Sequence, residues 1–422
     1  MKRAALILIT LILISPSFLK AEEIALTLDE AVSIALRENR DILLKTEDIK
    51  KAKAKIAEAR SGLLPSLSVS ANWTDTQGYY SKDASQATAQ AGVKQFLYKG
   101  GKIINTIKFS EHGVTIAQAV LDRVKLEIIF NVKKAFYTFL LAEQFQLLNK
   151  QILENSQAHL EMLGARYKNG QASQSDILRI KESLASVDEA YKASLNQAEA
   201  ALSLLKNLLY LDEKASIKPN GEFIYEPREM AYDEGFLKAM NSRPEVRQYE
   251  AQSQAAQKAV AIAKADNRPS VYASWDYYSR SHITGPTGIS KNWNDYNVIG
   301  ITFSWPIFDG WATKAKVEQA IVDLKETQLT KEKTVKDIAL ELKNAYLDLK
   351  NALAKIKSTQ AGLDLYKDTL SATKEKYNAG MVSSLDLEDV SLGYAISLFN
   401  QKLTGYDYIL AKAGFDKATG GM

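Results

Sequence analysis

Carboxylates offer the clearest chance of chemistry in this sequence. Asp386 and Asp389 stand three residues apart in "SSLDLEDV". A helix there would put both on one face. Repeated around a symmetric oligomer, such a pair would stack two acidic rings, and rings of carboxylates select cations. Asp176, in "SQSDIL", holds the position that matches Asp386 in an earlier copy of the same stretch. A plainer use competes with this one. Each of these two Asp residues lies three after a serine, Ser173 or Ser383, which is the spacing of a helix capping box. For Asp386 the cap and the ring are evenly matched readings, since an acid in the first turn is favoured by the helix dipole. Asp389 lies beyond the first turn and is the better ring candidate. Glu388 points elsewhere and reads as solvated.

Other chemistries find little support. The chain has no cysteine, hence no disulfide, thiolate site or thiol nucleophile. Its three histidines, His112, His159 and His282, lie far apart without metal-ligand spacing and read as surface or packing residues. Gly100-Gly101 lacks the context of a phosphate loop. No nucleophile stands beside a base, so neither an enzyme nor a cofactor or metal is expected. The net charge of +4 on 422 residues, with no basic run, argues against nucleic acid.

The elements that must position these residues follow from proline and from period. No proline lies between Pro65 and Pro219, and none follows Pro306. The proline-free runs from Lys102 to about Tyr167 and from Thr313 to Tyr377 are rich in good helix formers. Each predicts one helix about 100 Å long. In the second, Val335, Ile338, Leu342, Tyr346, Leu349, Leu353 and Ile356 recur in steps of three and four, a coiled-coil seam. Both long runs end in a similar turn, "RYKNGQASQSDIL" and "KYNAGMVSSLDLE". Tyr167, Gly170, Ser173 and Asp176 recur as Tyr377, Gly380, Ser383 and Asp386, each 210 residues on (377 − 167). Gly170 and Gly380 suit the left-handed end of a helix. Ser173 and Ser383 suit the start of the next. Arg166 and Lys376, just before the turn tyrosines, read mainly as solvated cations near a helix C-terminus.

Strict alternation marks strands at Ser66–Trp73, Ser270–Tyr277 and Ile299–Trp305, with a weaker one at Ala89–Leu97 whose phase breaks at Gln95-Phe96. One face of each strand is apolar. Trp73, Trp275, Trp293 and Trp305 lie in or beside these stretches and read as anchors at bilayer interfaces, against a plain packing role. Met1-Lys2-Arg3, an apolar run from Ala4 to Ile14 and a small residue at Ala21 have the layout of a signal peptide over residues 1–21. The rest carries no stretch apolar enough for a membrane helix, so any crossing falls to strands.

The duplication covers the chain. "TLDEAVSIALRENRDI" is similar to "AYDEGFLKAMNSRPEV", Pro65-Ser66 to Pro269-Ser270, and "LYKGGK" to "IFDGWA". The offset grows from 204 (269 − 65) to 210, which places about six extra residues between the strands of the second half, in the polar stretch "SRSHITGPTGISKNWND". The expected division is a first repeat over residues 22–211, a linker over 212–230 that contributes a short strand or helix, and a second repeat over 231–422. Each repeat reads helix, strand pair, very long helix, turn, helix. Four strands cannot close a barrel, and an open edge cannot sit in lipid. Three copies would supply twelve strands. The expected fold is mainly α with a membrane β-barrel, a long coiled-coil helical tunnel and four strands per chain.

In these motifs, their order and their spacing, nearly the whole mature chain resembles the outer membrane efflux protein family, the TolC-like outer membrane factors. The resemblance implies a homotrimer in outer membrane lipid, with a helical tunnel in the periplasm. It implies a periplasmic adaptor (membrane fusion) protein and an inner-membrane transporter of RND, ABC or MFS type as partners. The function implied is a passive exit duct for small molecules or proteins, in a tripartite efflux or type I secretion system. By the same resemblance, Asp386, Asp389 and Asp176 would belong to a gate at the periplasmic helix ends. Tyr167, Gly170, Ser173, Tyr377, Gly380 and Ser383 would form tips that meet the adaptor. The family's closed state can use an Arg two residues after the second tip glycine. Val382 stands there, which counts against a latch of that kind. The competing reading is an exported coiled-coil stalk or adhesin, which the amphipathic strands and the duplication fit badly.

Overall fold

The computed structural model describes residues 24–77, 84–227, 230–284 and 293–421. The expected signal peptide lies outside them. In chain order the elements are β1 (Ile24–Leu26), α1 (Leu28–Glu38), α2 (Arg40–Ser61), β2 (Ser66–Thr76), β3 (Ala84–Lys99), α3 (Lys102–Lys168) and α4 (Gln174–Leu209). There follow β4 (Ile217–Pro219), α5 (Tyr232–Ser242), α6 (Pro244–Ala265), β5 (Ser270–Thr284), β6 (Trp293–Ser304), α7 (Ala312–Asn378) and α8 (Ser384–Ala418).

The two long helices are each 67 residues, about 100 Å at 1.5 Å per residue. Their N-termini are set by paired left-handed residues: Gly100 and Gly101 before α3, Gly310 and Trp311 before α7. Gly100 is needed twice over. Its φ is +59°, and a Cβ there would meet Ala265 O at 2.8 Å. Gly310 has the same twist with open space around it. The seam expected on α7 is present. Ile338, Leu342 and Leu349 are buried against Tyr408 and Phe415 of α8, with Tyr346, Leu353 and Ile356 packed beside them. The first repeat has its own core, in which Val132, Phe136 and Leu140 of α3 meet Leu205 and Leu209 of α4.

Two antiparallel hairpins join into one sheet of order β2-β3-β5-β6. The ladder of β3 slips between Phe96 and Tyr98, where the alternation breaks in the sequence. The second hairpin, counted from its base pair Ser270–Ser304, spans 35 residues (304 − 270 + 1). The first, counted from Ser66–Lys94, spans 29 (94 − 66 + 1). The six extra residues therefore fall inside the second hairpin. Part of the polar stretch expected as a loop is strand, because β5 runs on to Thr284 and β6 starts at Trp293.

The helices repeat the order of the strands they continue. Helix α2 packs on α3, α3 on α6, and α6 on α7. Below them α4 packs on α3, α3 on α8, and α8 on α7. Strands β2 and β6 are the edges of the sheet, and α2, α4 and α7 are the corresponding edges of the helical layer. The linker does contain a short strand: β4 pairs in parallel with β1. It then runs across α3 and α8. Gly221 lies against Phe136, Tyr225 against Gly405, and the Tyr408 hydroxyl donates to Glu226 O at 2.9 Å.

Candidate functional site

The two tips are built alike. At the first, Gly170 sits at φ +72°, Gln171 N–H donates to Arg166 O at 2.8 Å and Gly170 N–H to Tyr167 O at 3.0 Å. At the second, Gly380 sits at φ +71°, Met381 N–H donates to Lys376 O at 2.9 Å and Gly380 N–H to Tyr377 O at 3.0 Å. Both are Schellman ends. Nothing lies within 4 Å of a Cβ built at either glycine. Backbone twist alone, not crowding, calls for glycine.

The returning helices start on capping boxes. Ser173 N–H donates to Asp176 Oδ2 at 3.0 Å and Asp176 N–H to Ser173 Oγ at 3.2 Å. Ser383 and Asp386 repeat this at 2.9 and 3.2 Å. The serine side chain first, and its backbone second, hold each carboxyl below the usual aspartate value. Asp176 and Asp386 thus serve the turn. Asp389 is exposed one turn further along α8, on the face of Asp386. Tyr167, Tyr377 and Met381 are exposed large side chains at the tips. Arg166 and Lys376 make no ion pair among the described residues. Arg166, Asp176 and Arg179 line a groove of about 510 Å³ between α3 and α4 together with His159. The Nε2 of His159 is buried without a partner among the described residues.

At the other end, register places the tryptophans. Directly paired residues share a face, as do alternate residues of a strand. Leu67, Val93, Trp275 and Ile299 form one row across all four strands. Trp73, Ala87, Ser281 and Trp293 form another on the same face. Along β6 that face continues through Ile301 and Phe303 to Trp305. Its aliphatic residues are bare: Val69 is 78% exposed, Ile299 81% and Ile301 75%. Trp73 and Trp293 share the loop end and Trp305 stands at the helix end, where its indole N–H donates to Asn267 O at 3.3 Å. Trp275 falls midway between them instead of with either end.

One buried charge escaped the sequence reading. Arg243, at the joint of α5 and α6, is 5% exposed. It donates to Glu245 at 2.9 Å and to Glu341 of α7 at 2.5 Å, and Nη1 also reaches Ala418 O at 3.4 Å. Burial opposes both charges of the Arg243–Glu245 pair. Hydrogen bonds and charge attraction together outweigh it, from Glu245 and Glu341 on the guanidinium and chiefly from Arg243 on the carboxyl, so the guanidinium is raised and the carboxyl lowered. Nothing local in "NSRPEV" announces partners 98 and 175 residues away.

Among the described residues no helix is long and apolar enough to cross a membrane, and no cluster of ligating side chains could hold a metal ion. The chain is thus mainly helical and carries one four-stranded amphipathic sheet on two very long helices. The outer membrane efflux protein family model matches residues 31–209 and 237–420. The chain belongs to that family. A comparison with curated proteins finds no match. Among solved structures, the chain is similar to the CmeC outer membrane channel of Campylobacter jejuni, with 18% identity over 93% of this chain and 85% of that one, TM-score 0.79. It is also similar to the outer membrane protein VceC of Vibrio cholerae (17%, 93% and 96%, 0.76) and to the open-state MtrE outer membrane channel of Neisseria gonorrhoeae (19%, 93% and 89%, 0.74).

Proposed function

We propose that this protein is the outer membrane exit duct of a tripartite efflux or type I secretion system, a passive channel with no catalysis of its own. The observation that carries this reading is the agreement of its open edges. Sheet and helical layer end on the same two sides of the chain, at β2, α2 and α4 on one side and at β6 and α7 on the other. One copy's β6 can then meet the next copy's β2 in antiparallel fashion while α7 meets α2. Such a head-to-tail contact closes into a ring. Three copies give an even twelve-stranded barrel.

The bare apolar face fits lipid. Trp293 opens β6 and Trp305 follows its last residue, twelve positions on, about 40 Å at ~3.3 Å per residue. Tilted by ~40°, that is about 30 Å along the barrel axis, near the thickness of the apolar band and its aromatic girdles. The long helices then enclose a periplasmic tunnel with the tips at its far end. There Asp389, together with Asp386 and Asp176 at the starts of the returning helices, forms the gate. Tyr167, Gly170, Ser173, Tyr377, Gly380 and Ser383 form the surface that meets a periplasmic adaptor, which joins the duct to an inner-membrane transporter.

The chain has no native cysteine, so crosslinking tests the ring cleanly. Cysteines placed in turn at Ser68, Ser70 and Asn72 of β2, each combined with Asn294→Cys on β6, should yield a ladder that stops at three copies for at least one pair. A ladder running past three, or none for any pair in outer membrane preparations, contradicts the reading.

A further inference from the structure

The lipid-side face of the sheet fixes the opposite one. Residues that alternate with Trp275 and Ile299 face inward, and rows across the strands can be read from the register. One row joins Asn72, Thr88, Arg280 and Asn294; the next joins Ser70, Gln90, Tyr278 and Tyr296; the next joins Ser68, Gly92, Asp276 and Val298. Lys94 pairs with Ser274, and Phe96 with Tyr272.

Aromatic and basic side chains collect on this wall in two places. Near the loop end, the rings of Tyr278 and Tyr296 stack at 5.1 Å and 15°. The Arg280 guanidinium lies 6.0 Å from the Tyr296 centroid. Its Nε is buried and has no acceptor among the described residues. Near the helix end, Lys94 Nζ lies 3.9 Å from the Tyr272 centroid and 5.0 Å from that of Phe96, with Lys99 Nζ 4.4 Å from the latter. Lys94 and Arg280 sit at levels six residues apart on β5, about 20 Å along the strand. Between them stands one carboxylate, Asp276, which accepts a hydrogen bond from Gln90 Nε2 at 3.0 Å. Gln90 Nε2 also donates to the Tyr278 hydroxyl at 3.1 Å.

Among the described residues the wall therefore has three cations, Lys94, Lys99 and Arg280, against one anion, Asp276, and each of these cations lies over a ring. Cations over rings are only partly satisfied, because a ring supplies no hydrogen-bond acceptor in the plane of the guanidinium or to the remaining ammonium protons. An anion with an aromatic body completes such a station. Its charge pairs with Arg280 or Lys94, and its ring stacks on Tyr296 or Tyr272.

Resting on the channel reading above, we propose that the inner wall of the barrel carries two stations for aromatic anions, Tyr278–Tyr296–Arg280 toward the outside and Lys94–Tyr272–Phe96–Lys99 toward the tunnel. The exit then favours amphipathic cargo with a planar ring and a negative group. This is opposite in sign to the acidic tips, so the duct is electrically asymmetric along its length.

The test is block of the intact wild-type channel in a planar bilayer, with naphthalene-1,5-disulfonate added on the side of the strand loops and ethane-1,2-disulfonate as the equal-charge control. The naphthalene compound should block at a concentration at least tenfold lower. Arg280→Gln should weaken that block at least fivefold, and Tyr296→Leu should bring the two compounds together. Equal block of the wild-type channel by both disulfonates overturns the stations while leaving the channel. No conductance from the folded wild-type protein overturns the channel reading and the stations with it.

Discussion

Ser383 and Asp386 hold each other across the first turn of α8: the serine amide donates to Asp386 Oδ2 at 2.9 Å, and the aspartate amide donates to Ser383 Oγ at 3.2 Å. Ser173 and Asp176 make the same pair on α4. The acid at each helix start is thus occupied by the turn, and Asp389 is left as the carboxylate with no capping duty. Ser383→Ala should loosen the second tip by about 1 kcal/mol. Hydrogen exchange of the first turn of α8 should speed up accordingly, and Asp389→Asn should leave it unchanged. Equal effects from both would remove the division of labour.

The same pairs set a pH dependence. Asp176 and Asp386 are held below the ordinary aspartate value of 3.8 by their serines. A lowered acid contributes stability that is complete above its unfolded value and is lost as pH falls through its folded value. Protection of both tips should therefore be level from about pH 7 to pH 5 and decline below about pH 4. With Asp386→Asn that decline should vanish at the second tip and persist at the first, as followed by exchange protection factors.

Arg243 ties the joint of α5 and α6 to α7 and to the end of α8. Arg243→Ala leaves the Glu245 carboxylate largely buried without its partner, at a cost of about 3–5 kcal/mol. Thermal unfolding in detergent should drop markedly. Arg243→Met combined with Glu245→Gln removes both charges and should recover much of the loss. If the single and double variants unfold together, the buried pair is not what holds this joint.

Gly100 and Gly310 occupy matching corners but differ in their surroundings. Gly310→Ala meets only the left-handed backbone, about 1–2 kcal/mol. Gly100→Ala also drives a Cβ to 2.7 Å from Arg268 Cβ and 2.8 Å from Ala265 O. It should cost clearly more, read as yield of folded protein in the outer membrane fraction. Equal yields would mean that the corner relaxes freely.

Much of this architecture was legible in the sequence because local chemistry writes it. A Tyr-x-x-Gly-x-x-Ser-x-x-Asp turn states its own geometry, and period-two alternation states which face of a strand is apolar. Even the broken phase at Gln95-Phe96 marked a real slip in the ladder. Other features depend on distance. Three-residue strands such as β1 and β4 carry no period, so their parallel pairing is invisible until the linker folds back. The partners of Arg243 lie on other elements. Trp311 takes φ +68° at the place of Gly101, where an aromatic residue gives no sign of a left-handed backbone. The rows that bring Tyr278, Tyr296 and Arg280 together, and the midway level of Trp275, come from register between strands. Alternation within one strand cannot supply that.

The central claim is a conducting duct narrowed at its acidic end, and single-channel recording of the purified protein in a planar bilayer tests it most directly. Small discrete steps are expected, reduced by divalent cations added on the tip side. Asp389→Ala should give larger steps with less sensitivity to those cations, while Ser383→Ala should retain the sensitivity. A folded, lipid-inserted protein that passes no current, with or without Asp389, would contradict the account.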